Sequence, residues 1–109
     1  MNKEFISILG RTAIKPELLK SKENNKYLKI RIAVNKNKIN NKDTNEVTYY
    51  DILIFGKRVE KFSKLTKGKL VYISGNIDIK PYLNKQGLPK VSLNVIANEF
   101  FILDTKIFK

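Results

Sequence analysis

The sequence predicts an all-β fold, a small barrel of five strands with one short helix between the third and fourth. Three observations predict it. Apolar residues alternate with polar ones at period two, most cleanly over 28–34, as they do in half-buried strands. A single segment, 57–66, switches to helical spacing. Glycine, proline and asparagine punctuate the chain between the apolar runs. With 109 residues there is room for one core, and residues 1–109 read as one domain.

The elements follow in order. Lys3 to Leu9 is rich in Phe and Ile and reads as a strand closed by Gly10. Pro16 interrupts a loop, and Asn24-Asn25 marks a turn. The second strand sets Leu28, Ile30, Ile32 and Val34 on one face with Lys29 and Arg31 on the other. Lys36 to Glu46 is polar except for Ile39 and reads as a long loop bearing Lys36, Lys38 and Lys42. Val47 to Phe55 is the third strand. Its Tyr50, Ile52 and Ile54 suit a core, and its Tyr49, Asp51, Leu53 and Phe55 suit a face that meets water or a ligand. Val59, Phe62 and Leu65 recur at helical spacing within Lys57–Thr66, with Gly68 as a plausible C-terminal cap. Leu70 to Tyr82 returns to strand character with a bulge or bend expected at Gly75. Asn84 to Lys90 is a hairpin loop, and Val91 to Leu103 is the last strand. Three strands, a helix and two strands is the order of an OB-fold barrel, whose nucleic-acid face lies on strands two and three. Another small β-barrel would share the pattern.

Composition narrows the chemistry. Cysteine and histidine are both absent, which removes disulfides, the usual zinc ligands, histidine triads and thiol nucleophiles. No cofactor and no metal are expected. Met1 to Gly10 lacks the apolar core of a signal peptide, and no apolar run is long enough to span a bilayer. The chain is therefore expected to be cytoplasmic, with no membrane partner. The net charge of +12 comes from 22 basic and 10 acidic residues and points to a polyanionic partner. The excess of Lys over Arg, with abundant Asn and Ile, is also what AT-rich coding produces. The acidic count has not risen with it, so the imbalance still calls for a partner.

Single-strand binders need a basic track for phosphates and aromatic faces for bases. Tyr49 and Phe55 are six apart on one strand and so share a face. Tyr82 shares a face with Asp78 and Lys80. A ring in a strand is ordinarily a packing residue, and at this point packing and base stacking both stand open for these three. Tyr27 is a weaker candidate. So is Tyr72, which reads as core with its hydroxyl at a rim. The basic candidates are Arg11, Lys29, Arg31, Lys36, Lys38, Lys57, Lys80 and Lys85. Lys29 and Arg31 are the strongest, being on the polar face of a strand the fold would use.

The stretch Tyr49-Tyr50-Asp51-Ile52-Leu53-Ile54-Phe55-Gly56-Lys57 resembles the signature of bacterial single-stranded DNA-binding proteins, an aromatic strand ending in Phe-Gly-Lys. Ile8-Leu9-Gly10-Arg11 with Pro16-Glu17-Leu18, then Ile32-Ala33-Val34-Asn35, then Lys67-Gly68-Lys69-Leu70-Val71-Tyr72-Ile73-Ser74-Gly75 are similar to the family's pattern in the same order. The resemblance implies sequence-independent binding and protection of single-stranded DNA in replication, recombination or repair. It implies that Tyr49, Phe55 and Tyr82 stand at base-stacking positions, and that the chain forms a homo-oligomer, a homotetramer before a dimer. Phe5, Ile6 and Ile8 are the candidates for that interface. The sequence departs from the family pattern in three ways. The chain has no tryptophan, and a further stacking position falls near Lys38 or Ile39. Extra lysines would offset that loss and steepen the salt dependence. The sequence ends at Ile107-Phe108-Lys109 without an acidic run, so tail-mediated recruitment of other proteins is not expected.

Two other readings share the fold or the residues. A tail-less adaptor such as primosomal replication protein N, or an RNA-binding OB domain, would keep the basic groove but not the full signature. Asp78-Ile79-Lys80 resembles half of a metal-dependent nuclease motif with Asp51 as its partner. Asp51 is equally explained as a polar residue on an open strand face, and the chain is read as no enzyme.

Overall fold

A computed structural model describes residues 4–35 and 47–103. The loop carrying Lys36, Lys38, Ile39 and Lys42 lies outside these residues, as do Lys3 and the segment 104–109. The order is β1 (Glu4–Thr12), β2 (Glu17–Lys20), β3 (Lys26–Asn35), β4 (Val47–Phe55), α1 (Arg58–Phe62), β5 (Leu70–Leu83) and β6 (Pro89–Ile102). The strands form one sheet in the order β1-β5-β6-β4-β3-β2. A further pairing of β1 with β3, at Arg11 with Ala33 and Thr12 with Ile32, closes the five long strands into a ring. This is the predicted five-stranded OB barrel, its helix in the predicted slot. β2 is an addition: it pairs antiparallel with β3 from Glu17 against Lys29 to Lys20 against Lys26.

Inside the ring the period-two pattern becomes the core. Leu28, Ile30 and Ile32 of β3, Ile52 and Ile54 of β4, Val71 and Ile73 of β5 and Val95 of β6 are all but sealed from water. The helix adds Val59 and Phe62, whose ring meets Phe100 of β6 at 4.6 Å between centroids. So short a helix gains little from its own hydrogen bonds; its two buried side chains hold it against the barrel.

Three local devices shape the ring. At the seam, Thr12 is buried, donates its hydroxyl to the Thr66 carbonyl at 2.7 Å and accepts from the Lys69 amide at 2.9 Å. Its main chain exchanges bonds with the same segment, Thr12 N to Lys69 O at 2.9 Å and Gly68 N to Thr12 O at 2.8 Å. Gly68 therefore serves this turn, at φ 88°, and is not the helix cap; α1 ends at Phe62, with Ser63 as its cap. Next, β5 and β6 slip register between Ser74 and Gly75, Ser74 facing Glu99 and Gly75 facing Ala97. Asn98 is the extra residue, and a side chain at Gly75 would strike the Ile96 carbonyl. The bulge expected there is present, and it bends the strand pair so that the sheet can curl. Arg58 fixes it from the helix, donating to the carbonyls of Ala97 at 2.8 Å and Asn98 at 2.9 Å.

The outer strands differ from the sequence reading in detail. β1 runs through Gly10 to Thr12, because glycine lets β1 lie close against β3 at the seam. Pro89 and Lys90 belong to β6, and the hairpin turn spans 84–88 with Asn84 Oδ1 accepting from the amides of Gln86 and Leu88. Tyr72 is not a core residue. It lies on the outer face, stacks on Phe101 at 6.2 Å and bonds Ser7 through its hydroxyl at 3.1 Å. Phe5, Ile6 and Ile8 do not form one surface. Alternation turns Ile8 into the core and Ile6 against it, while Phe5 faces out.

The seam yields a test. A Cβ at Gly10 would stand 2.6 Å from the Ala33 carbonyl oxygen and 2.8 Å from Ile32 Cγ2. Gly10→Ala should lower stability by about 1–3 kcal/mol in denaturant unfolding, with an unchanged denaturant slope if the native ring survives.

Candidate nucleic-acid interface

The outer faces of β3 and β4 are set by their register. Tyr27 stands opposite Phe55, Lys29 opposite Leu53, Arg31 opposite Asp51 and Ala33 opposite Tyr49. All of these point away from the aliphatic core by simple alternation. Asp51 continues the row to Asn94 of β6, and Asn94 to Asp78 of β5. A continuous outward surface thus runs across four strands, from the barrel's β3 wall to the base of the long β5–β6 hairpin.

Two concavities lie on it. The first, of about 590 Å³, is lined by Arg31, Tyr49, Asp51, Lys80, Pro81, Tyr82, Val91, Ser92 and Leu93. It brings together four of the sequence-predicted residues, Arg31, Tyr49, Lys80 and Tyr82. Tyr49 is 53% exposed and Tyr82 51%, so neither ring is consumed by packing, and both are available to stack a planar ligand. The second, of about 670 Å³, lies where β4 meets the helix and includes Lys26, Phe55, Lys57 and Glu60. Phe55 is 43% exposed, and its inner side rests on Tyr27, with centroids 5.3 Å apart and planes 26° apart. Tyr27, a weaker candidate on sequence alone, is brought to Phe55 by the cross-strand register, which places the two directly opposite each other. Six residues of strand set Tyr49 and Phe55 roughly 20 Å apart, so the two concavities are successive stations along one strand.

The electrostatics are more balanced than the overall charge suggests. Arg31 Nε donates to Asp51 Oδ1 at 3.1 Å, and Lys29 Nζ lies 3.9 Å from Asp51 Oδ2. The Asp51 side chain is only 14% exposed. Its hydrogen bond and charge hold the Arg31 guanidinium above its ordinary pKa. Lys80 pairs with Asp78 at 3.6 Å. Around this surface Lys29, Arg31 and Lys80 are therefore met by two acids. Asp51 and Asp78 are each engaged by cations, and among the described residues no three acids, histidines or cysteines gather to hold a metal ion.

The remaining predicted residues lie outside the first concavity. Arg11 is at the seam, donating to the Gly68 carbonyl at 2.9 Å. Lys57 precedes the helix beside Phe55. Lys85 is exposed on the β5–β6 turn. Lys36 and Lys38 fall outside the described residues.

The model of the single-strand binding protein family matches residues 1–103. Single-stranded DNA-binding protein 1 of Clostridium acetobutylicum is 30% identical over 97% of this chain and 96% of its own length. Single-stranded DNA-binding protein 1 of Staphylococcus aureus is 29% identical over 91% of the chain, and the match spans 64% of that longer relative. Two solved structures share the fold. A small single-stranded DNA-binding protein from Streptomyces coelicolor superposes with TM-score 0.77 at 17% identity, covering 94% of this chain and 95% of its own. The mitochondrial single-stranded DNA-binding protein Rim1 of S. cerevisiae superposes with TM-score 0.67 at 20% identity, covering 96% and 99%. Among the described residues, no helix is long and apolar enough to cross a membrane.

The ring pair can be tested directly. A double-mutant cycle of Tyr27→Leu with Phe55→Leu should return a coupling of about 0.5–1.5 kcal/mol in thermal or denaturant unfolding. A coupling near zero would mean that Tyr27 does not support Phe55.

Proposed function

The chain belongs to the single-strand binding protein family, and we propose that it binds and protects single-stranded DNA, without sequence preference, along the outer face of β3 and β4. The observation that carries this reading is the concavity uniting Tyr49 and Tyr82 with Arg31 and Lys80. Exposed rings accept any base, because every base has a π face, and cations beside them meet the backbone phosphates. Phe55, backed by Tyr27 and flanked by Lys57, continues the track. No reacting group is required: the work is to hold an extended strand and keep it from pairing. Such a protein serves replication, recombination or repair in the cytoplasm, where the strand is exposed.

The chain has five tyrosines and no tryptophan, so tyrosine emission reports the site directly. Oligo-dT should quench it, partly surviving moderate salt, whereas duplex DNA should not. Tyr49→Ala and Tyr82→Ala should each weaken oligo-dT binding by about 1–3 kcal/mol without lowering the melting temperature. Quenching that is equal for duplex and lost in salt would overturn the reading in favour of an adaptor with a generic basic surface.

We further propose self-association as a homotetramer, with a dimer as the alternative. Leu9, Tyr72 and Phe101 stand in a row across β1, β5 and β6 on the outer face, with Phe5 beyond them on β1. Leu9, Phe101 and Phe5 are at least half exposed. An apolar row of this kind supports an interface between copies. Of the three interface residues expected from sequence, Phe5 is exposed, Ile6 is half-buried and Ile8 is buried. Sedimentation at micromolar concentration should show an oligomer that Phe101→Glu dissociates; a monomeric wild type would refute it.

A further inference from the structure

We infer that Asp51 is a built-in competitor for the DNA phosphates, holding Arg31 and Lys29 in the free protein so that a strand must displace it to gain them. This rests on the binding reading above and adds a residue that works against affinity.

The geometry is specific. Two cations from neighbouring positions of β3 converge on one carboxylate of β4, at 3.1 Å and 3.9 Å, one on each oxygen. The carboxylate is largely withdrawn from water, while the Arg31 side chain is 45% exposed and that of Lys29 34%. The acid is thus the fixed member, and the cations are the members that can turn outward. All three sit on the outer face, and Arg31 and Asp51 line the same concavity as the exposed rings of Tyr49 and Tyr82. A base stacked on Tyr49 would bring its phosphates toward Arg31, which lines the same concavity.

A carboxylate and a phosphate are alike to a guanidinium: both present paired oxygens to its fork of N–H groups. In the free protein Asp51 satisfies Arg31 Nε. When a phosphate arrives, the guanidinium must share itself or swing away, and the carboxylate stays behind as a like charge close to the phosphate. Both effects oppose binding. The pair of Asp78 and Lys80 is different in kind: it joins residues two apart on one strand, and its acid is 39% exposed, so water screens it.

The test is Asp51→Asn, which keeps the shape and an acceptor for Arg31 Nε while removing the charge. By tyrosine quenching, oligo-dT should bind this variant about two- to fivefold more tightly at low salt. The slope of log affinity against log salt should steepen by about 0.7, the increment for one more phosphate contact on a single strand. Asp51→Ser should do the same, which guards against a folding defect particular to asparagine. In a Lys29→Gln/Arg31→Gln background the gain should shrink and the added salt slope should disappear, since the cations it releases are gone and only the relief of like-charge repulsion is left. Equal or weaker binding by both single variants would overturn the inference, as would a gain that persists undiminished without the two cations. Failure of the binding reading would look different: the wild type itself would show no quenching specific to single strands.

Discussion

Two residue pairs, Arg11 with Ala33 and Thr12 with Ile32, turn a curled sheet into a ring, and the rest of the molecule depends on that closure. An open sheet of six strands would leave its aliphatic face half covered. Closing it puts Leu28, Ile30, Ile32, Ile52, Ile54, Val71, Ile73 and Val95 on a common inside and removes most of the unpaired edge. The closure needs a residue without a side chain at Gly10, where β1 approaches β3, and a buried hydroxyl at Thr12 that ties the turn after the helix to the end of β1. The bulge at Gly75, fixed by Arg58, supplies the bend that lets the two ends meet.

The site follows from the ring. Because the inside is filled with aliphatics, every second residue of β3 and β4 is driven outward, whatever its polarity. Tyr49 and Phe55 stay exposed because, among the described residues, no further layer covers this face. Tyr82 stays exposed because β5 and β6 run on beyond the barrel as a hairpin. Among the described residues, the cations of the outward row, Lys29, Arg31 and Lys80, are each met by an acid. The strand register brings Asp51 directly opposite Arg31, and the local field is set by that pairing more than by the overall balance.

What could be read in the sequence was what alternation encodes. Leu28, Ile30 and Ile32 against Lys29 and Arg31 located β3 and both its faces; Val59 and Phe62 located the helix, which stops at Phe62, so that Leu65 is buried beyond its end; Gly75 located the bulge. The exposed stacking candidates followed from the same parity. What escaped was decided across strands. β2 is too short to show a period, and it exists because β3 offers an edge. Gly68 stands where a helix cap would, yet it serves Thr12, more than fifty residues away. Tyr72 looked like core until its neighbours Ser7 and Phe101 were known. Ile6 and Ile8 were grouped with Phe5 by proximity in sequence, although alternation already placed Phe5 on the opposite side. Asp51 was legible as a polar residue on an open face, but its two cations needed the register.

The pairing of the first strand has a consequence in time. β1 emerges first during synthesis, but its partner β5 lies far along the chain: the Ser7–Tyr72 contact joins residues 65 positions apart. At ordinary translation speeds of about 5–20 residues per second the first strand waits roughly 3–13 s for a mate. Throughout that interval its stretch from Glu4 to Gly10 lacks its mate, and it carries Phe5, Ile6, Ile8 and Leu9, a composition inclined to pair with another nascent chain. The β2–β3 and β3–β4 hairpins can form meanwhile from local contacts, so the molecule would assemble from its middle outward and shut last at Thr12. Crowded ribosomes making this protein therefore face their greatest risk of misassembly before β5 has emerged.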